Sequence, residues 1–158
     1  MGFAVRTLSG IGSATWSEQE KMHFFPTKIL LATDGSEDAE LAASTAIDLA
    51  NKTGSELHIV HVVDLVSSVV LDEAEVRGLL DAVLRQIEDA GSIWAQAHLS
   101  EGAPAAEIVT LGEEIGAGLI VVGSRGLGGL RWALMGSVSD SVVRHAHCPV
   151  LVVRREKK

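Results

Sequence analysis

Hydrophobic and polar positions follow two different periods along this chain, and together they predict alternating strands and helices. Five short apolar segments have the length of strands, and longer segments between them repeat apolar residues every three to four positions. The predicted strands are Lys28 to Thr33, Glu56 to Val63, Ala95 to Leu99, Leu119 to Val122 and Val150 to Val153. The second, fourth and fifth are nearly continuous in β-branched residues and leucine, which is typical of parallel strands buried on both faces.

The helical segments lie between these strands and carry start and stop signals. The predicted helices are Glu37 to Lys52, Asp72 to Ala95, Ala105 to Gly116 and a segment that begins at Val138 and ends before Pro149. Ser36 is placed to cap the first helix, and Gly54 is placed to end it. Pro104 suits the first turn of the third helix. The N–H groups of a first turn have no acceptor within the helix, so the N–H that proline lacks is not needed there.

The regular alternation of strand and helix predicts an α/β fold with one open, five-stranded parallel sheet and helices on both faces. A length of 158 residues without an internal repeat supports one domain, which we assign to residues 26–158. Residues 1–25 are rich in Gly, Ser and Thr and show no clear period, so we interpret them as an N-terminal arm. In such sheets, ligands bind at the carboxyl ends of the strands where the winding direction reverses.

A glycine-rich segment follows the fourth strand and predicts a phosphate-binding loop. Gly123 and Gly126 stand at its start, and Gly136-Ser137 opens the last helix. Glycine allows positive φ and close approach of an anion to the backbone, and a helix start offers unpaired N–H groups. Two other phosphate motifs do not fit, because no Gly-Lys pair occurs in the chain and Arg131 stands where a dinucleotide fingerprint requires glycine.

The spacing Gly123-x2-Gly126-x9-Gly136-Ser137 resembles the nucleotide-binding signature of the universal stress protein family, in its ATP-binding branch. Similar segments lie at the end of the first strand, at the end of the second and in the closing Cys148 to Val153. The resemblance covers about Lys28 to Arg155. It implies a five-stranded sheet of order 3-2-1-4-5, of the adenine nucleotide alpha hydrolase-like type, which agrees with the fold expected from periodicity.

The resemblance also implies an ATP site. The candidate residues are Ala32, Thr33, Asp34, Val62, Val122, Gly123, Arg125, Gly126, Gly136, Ser137 and Val138. Asp34 would contact the sugar and base, Val62 would contact adenine through its backbone, and the phosphates would lie over Gly126 and the start of the last helix. Mg²⁺ or Mn²⁺ would bridge phosphate oxygens.

Simpler structural roles compete with these assignments. Asp34 also fits an Asx turn or a helix cap, and Val62 fits plain core packing. Ser137 fits an ordinary N-cap. Arg125 and Arg131 are candidate phosphate counterions, and solvated surface arginine is the alternative for each.

We therefore expect an ATP-binding protein of stress response or signalling that acts by nucleotide-dependent binding, with no catalytic residue assigned. The alternatives are a slow ATPase or nucleotidyl-transfer relative, and a binder of AMP or a cyclic nucleotide. A nucleotide-free dimer is less compatible with the glycine signature. The resemblance also implies a homodimer through Val150 to Val153, and an unpaired apolar edge strand favours such pairing.

The net charge and the cysteine content limit the possible partners and the cellular compartment. The net charge of −8 disfavours nucleic acid as a partner, and no apolar run is long enough to span a bilayer. The single cysteine, Cys148, excludes an internal disulfide and fits a reducing cytoplasm.

We expect no metal site at His145 to Cys148, because these residues straddle a helix end and a strand start. His58 and His61, expected on one face of the second strand, are interpreted as structural.

Overall fold

The fold is organised by one parallel sheet, seen in a computed structural model that describes residues 24–66, 71–91, 93–127 and 135–156. Its strands are β1 (Lys28–Ala32), β2 (Glu56–Val63), β3 (Ala95–Glu101), β4 (Leu119–Gly123) and β5 (Val150–Val153). They lie in the order β3-β2-β1-β4-β5, and every pairing is parallel. The predicted fold class and strand order are thus confirmed.

Four helices connect the strands: α1 (Glu37–Thr53), α2 (Glu73–Ala90), α3 (Pro104–Ile115) and α4 (Ser137–His145). The cap predicted at Ser36 is present, since its side chain accepts a hydrogen bond from the Ala39 N–H, and Gly54 ends α1 in the left-handed conformation. The prediction that α2 continues to Ala95 is wrong. Its last residue is Ala90, and Gly91 follows with φ 121°, a conformation that leaves the helix.

Two apolar layers cover the sheet, one on each face. Neighbouring residues of β1 divide between them, with Leu31 packed under α1 and α2 and Leu30 packed under α3 and α4. Both side chains are fully buried. Burial of such a side chain contributes about 1.5–3 kcal/mol, which explains why the central strands are apolar at consecutive positions.

The central position of β1 determines where a ligand site forms. β1 pairs with β2 on one side and with β4 on the other. The chain therefore winds away from β1 in opposite directions, and the loops that follow β1 and β4 separate at their carboxyl ends. This opening is the place that the sequence predicts for the ligand.

The two histidines of β2 lie in different surroundings. His58 Nδ1 lies 2.9 Å from His98 Nε2 on β3, whereas His61 Nδ1 lies 2.9 Å from the carbonyl oxygen of Thr33. The expectation that they share a face is wrong, because residues three apart along a strand point to opposite faces. Both are buried, as expected for structural residues.

Two predicted features fall outside the described residues. These are residues 1–23 of the N-terminal arm, and Arg131, the second candidate phosphate counterion.

Candidate functional site

A cavity of about 630 Å³ opens at the carboxyl ends of β1, β2 and β4. This volume lies in the usual range of small-molecule sites, about 300–1,000 Å³. All the candidate residues line it: Ala32, Thr33, Asp34, Val62, Val122, Gly123, Arg125, Gly126, Gly136, Ser137 and Val138. The fold thus brings four separated sequence segments to one opening.

One wall of the cavity is apolar. Val60 and Val122 are buried in the core layer under α3 and α4, and both also line the cavity. Val62 is partly buried against the same layer, and Ile108 of α3 adds to the wall. Core packing and ligand contact are therefore compatible roles for Val62, and the wall is suited to a flat apolar ring.

Asp34 connects the end of β1 to the glycine-rich loop. Its Oδ1 accepts a hydrogen bond from the Ser36 N–H at 3.0 Å, which is the Asx turn considered as an alternative role. Its Oδ2 accepts a second bond, also 3.0 Å, from the Leu127 N–H. An ionised carboxylate has about four acceptor positions, so two remain for a ligand. Asp34 therefore combines the local turn with a position in the cavity.

Close contacts explain two of the signature glycines, with a side chain next to Gly126 and with backbone next to Gly123. A Cβ at Gly126 would collide with the Asp34 carboxylate, and a Cβ at Gly123 would lie 2.8 Å from the backbone nitrogen of Ala39. The positive φ that glycine allows does not occur at these two positions or at Gly136. The described glycines with positive φ are Gly35, Gly54, Gly91, Gly102 and Gly116.

The start of α4 borders the cavity, and no side chain of the described residues caps its first turn. Its N-cap is Gly136, so the interpretation of Ser137 as an N-cap is wrong, and Ser137 is the first helical residue. Gly136 has no side chain to accept from the N–H groups of the first turn, whereas Ser36 serves this purpose in α1. Such a helix start attracts anions through its N–H groups and its dipole.

The structure contains a buried polar network under the loop that the sequence analysis does not predict. The Ser124 hydroxyl donates to Asp38 Oδ2 at 2.7 Å, while its carbonyl accepts from the Gly136 N–H at 2.6 Å. The Ser139 hydroxyl also donates to that carbonyl, at 2.9 Å. Ser124 therefore closes the base of the loop between β4 and α4.

Asp38, in the first turn of α1, is only 2% exposed. Burial raises the pKa of its carboxyl, but hydrogen bonds from Ser124 and Arg155 and the charges of Arg125 and Arg155 lower the pKa to below its ordinary value. The carboxylate is thus held in its charged form.

Arg125 lines the cavity with a side chain that is 24% exposed. Its Nε lies 3.7 Å from Asp38 Oδ2, so part of its charge is balanced by that carboxylate. The described lining residues include three carboxylates, Asp34, Asp64 and Asp140, and Arg125 is the one arginine or lysine among them. A polyphosphate at this site would therefore require further positive charge.

The residues from His145 to Cys148 contact different parts of the protein. His145 Nδ1 lies 2.8 Å from the Ser141 carbonyl oxygen, and His147 Nε2 lies 3.0 Å from that of Ala117. Burial raises the pKa of the Cys148 thiol. Over residues 24–66, 71–91, 93–127 and 135–156, no group of three or more His, Cys, Asp or Glu side chains is arranged to hold a metal ion.

Comparison with known proteins identifies the family. The model of the universal stress protein family matches residues 26–154. The chain belongs to this family. A universal stress protein of Methanocaldococcus jannaschii is 37% identical over 145 residues, which cover 83% of this chain and 84% of the relative.

Solved structures of universal stress proteins share the fold. One, a universal stress protein in complex with cAMP, has a TM-score of 0.66 and 25% identity, covering 80% of this chain and 95% of the other. Another, from Archaeoglobus fulgidus in complex with dAMP, has a TM-score of 0.62 and 25% identity, covering 80% of this chain and 96% of the other.

Among the helices that the structure describes, none combines the length and apolar character needed to cross a membrane.

Proposed function

We propose that this universal stress protein binds ATP in the cavity and acts in stress response or signalling through nucleotide-dependent binding. The observation that carries the proposal is that Asp34 and the uncapped start of α4 border the same cavity. A hydrogen-bond acceptor for sugar hydroxyls and a set of donors for phosphate thus stand at one opening. The adenine nucleotides in the related structures support the same ligand class.

In this proposal the adenine lies against the apolar wall near Val62, and the ribose faces Asp34. The phosphates lie over Gly126 and Gly136 and accept from the Ser137 and Val138 N–H groups, because the Gly136 N–H already donates to the Ser124 carbonyl. Because carboxylates outnumber the cationic side chain of Arg125 in the described lining, Mg²⁺ or Mn²⁺ would supply the missing positive charge. Without a cluster of three protein ligands among the described residues, the cation would be held mainly by phosphate oxygens.

The acidic lining also favours a second candidate, AMP or a cyclic mononucleotide. These ligands carry less negative charge than ATP, so they need less compensation from the protein or a cation.

Calorimetric titration with ATP in the presence and absence of Mg²⁺, and with AMP and cAMP, separates the candidates. We expect the tightest binding for ATP with Mg²⁺. Tighter binding of AMP or cAMP would favour the second candidate, and multiple-turnover hydrolysis would favour the slow ATPase.

The sheet edge at β5 supports a further part of the proposal, a homodimer. β5 pairs with β4 on one side and ends the strand order. The carbonyl groups of Pro149 and Val153 accept from Ile120 and Ser124. Because successive residues of a parallel strand direct their backbone groups to opposite sides, the Val152 N–H faces the free edge.

Replacing Val152 with proline should therefore weaken the dimer without removing a hydrogen bond to β4. We expect the wild type to sediment as a dimer and a folded Val152→Pro variant to shift towards monomer in analytical ultracentrifugation. Val152→Ala keeps the N–H and serves as the matched control, so it should stay dimeric. A monomeric wild type at micromolar concentration would contradict edge pairing and leave the nucleotide site unaffected.

A further inference from the structure

The Asp38 carboxylate joins two parts of the chain that are far apart in sequence. Its Oδ2 accepts from the Ser124 hydroxyl, at the base of the glycine-rich loop. Its Oδ1 accepts from Arg155 Nε at 2.8 Å, two residues after the end of β5. A second nitrogen of the same guanidinium, Nη1, donates to Glu37. The segment after β5 is thereby fixed to the start of α1.

A buried charge of this kind requires a partner. Asp38 is almost fully buried, and a buried carboxylate that loses its cation attracts another one or disturbs its surroundings. The nearest substitute is Arg125, whose Nε already lies 3.7 Å from Asp38 Oδ2. Without Arg155, Arg125 would move closer to Asp38 and away from an anion in the cavity.

Loss of the Asp38–Arg155 contact would also affect the loop directly. The orientation of Asp38 sets the position of the Ser124 hydroxyl, and the Ser124 carbonyl holds both the Gly136 N–H and the Ser139 hydroxyl. These bonds place the first turn of α4 next to the end of β4. A change at Arg155 would therefore reach the amides that we assign to phosphate.

We propose that Arg155 is a positioning residue for phosphate binding: by holding Asp38, it leaves Arg125 available to the nucleotide and fixes the Ser124–Gly136 contact. This inference rests on the proposed nucleotide function and adds to it a control of the site by the segment after β5. Arg155 acts through Asp38, and neither of these two side chains needs to contact the ligand.

Arg154 provides a matched control for charge and location. It precedes Arg155, is exposed, and forms no salt bridge with any residue that the structure describes. Arg154→Ala and Arg155→Ala remove the same charge one residue apart. A difference between the two variants therefore reports the contact with Asp38 and not the general field of the tail.

The test measures the affinity of both variants for ATP with Mg²⁺ and for adenosine, which lacks phosphate. We expect Arg155→Ala to lose at least about fivefold in ATP affinity, the lower end of usual coupling between sites, and clearly less in adenosine affinity. Arg154→Ala should bind both like the wild type. A general loss of structure would weaken both ligands equally in Arg155→Ala, and that result would overturn the positioning role, as would equal ATP affinity in the two variants.

A second measurement separates this inference from the proposed function. Hydrogen exchange of the ligand-free protein should be faster at the Gly136 amide in Arg155→Ala than in Arg154→Ala. If the wild type binds no adenine nucleotide, the proposed function fails, and the exchange rates still decide whether Arg155 controls the loop. Equal rates at Gly136 would overturn that control.

In an Asp38→Asn background, Arg155→Ala should have no further effect on ATP affinity or on exchange at Gly136. An undiminished effect would show that Arg155 acts by another route.

Discussion

Replacing Gly126 with leucine should weaken ATP binding by at least about tenfold, which corresponds to about 1.4 kcal/mol. The first atom of the new side chain would collide with the Asp34 carboxylate. Relief of that collision requires the Asp34 carboxylate or the loop to move, and because the colliding oxygen is the one that accepts from the Leu127 N–H, we expect this hydrogen bond to be lost. The backbone then loses the close approach that a bound anion needs. Isothermal titration calorimetry gives the affinity of each variant.

Gly78 is the matched control for this substitution. It lies in α2, and apart from the backbone of its own helix no atom of the described residues stands within 4 Å of where its Cβ would be. Gly78→Leu should bind ATP like the wild type and gain slightly in stability, because leucine favours helix more than glycine does. Undiminished ATP affinity in a folded Gly126→Leu variant would contradict the placement of the phosphates at the loop.

Replacing Asp34 with alanine should reduce ATP affinity and also reduce the importance of the sugar hydroxyls. Hydrogen bonds that involve a charged group contribute about 1.5–3 kcal/mol each. Because Asp34 also holds the Ser36 and Leu127 N–H groups, the simple loss of affinity combines a ligand contact with a loop contact. A mutant cycle with 2′- and 3′-deoxy-ATP isolates the ligand contact.

In that cycle, the deoxy analogues should lose less affinity in Asp34→Ala than in the wild type. Circular dichroism and thermal unfolding of the variant serve as controls for the fold. If the losses from the substitution and from the missing hydroxyl simply add, Asp34 does not bond the sugar, and its role is limited to joining the turn and the loop.

The fold could be predicted from the sequence because its signals are local and repeated. The pattern of β2, for example, is strong enough that the predicted and observed bounds coincide at Glu56 and Val63. The pattern misplaces the end of α2, since apolar residues continue at helical spacing as far as Trp94. Here the Trp94 carbonyl instead accepts the Leu57 N–H at 2.9 Å, so pairing with β2 prevails over periodicity.

The site could be predicted only as far as its motif extends. The glycine spacing identifies the loop, and strand order brings it to Asp34. The buried role of Asp38 has no local signal, because an acidic residue in the first turn of a helix ordinarily faces solvent and complements the dipole. Its partners Ser124 and Arg155 lie 86 and 117 residues away, and only the packing of α1 against β4 and the segment after β5 brings them together.

The central claim, that ATP occupies this cavity, is tested most directly by hydrogen–deuterium exchange with and without ATP and Mg²⁺. The account predicts slower exchange of backbone amides in three segments, at Asp34 to Ser36, Val62 to Asp64 and Gly136 to Ser139. Amides of α2, which packs on the opposite face of the sheet from α3 and α4, should be unchanged at Val83 and Ile87. Binding of ATP with no protection in these three segments, or no binding at all, would contradict the account.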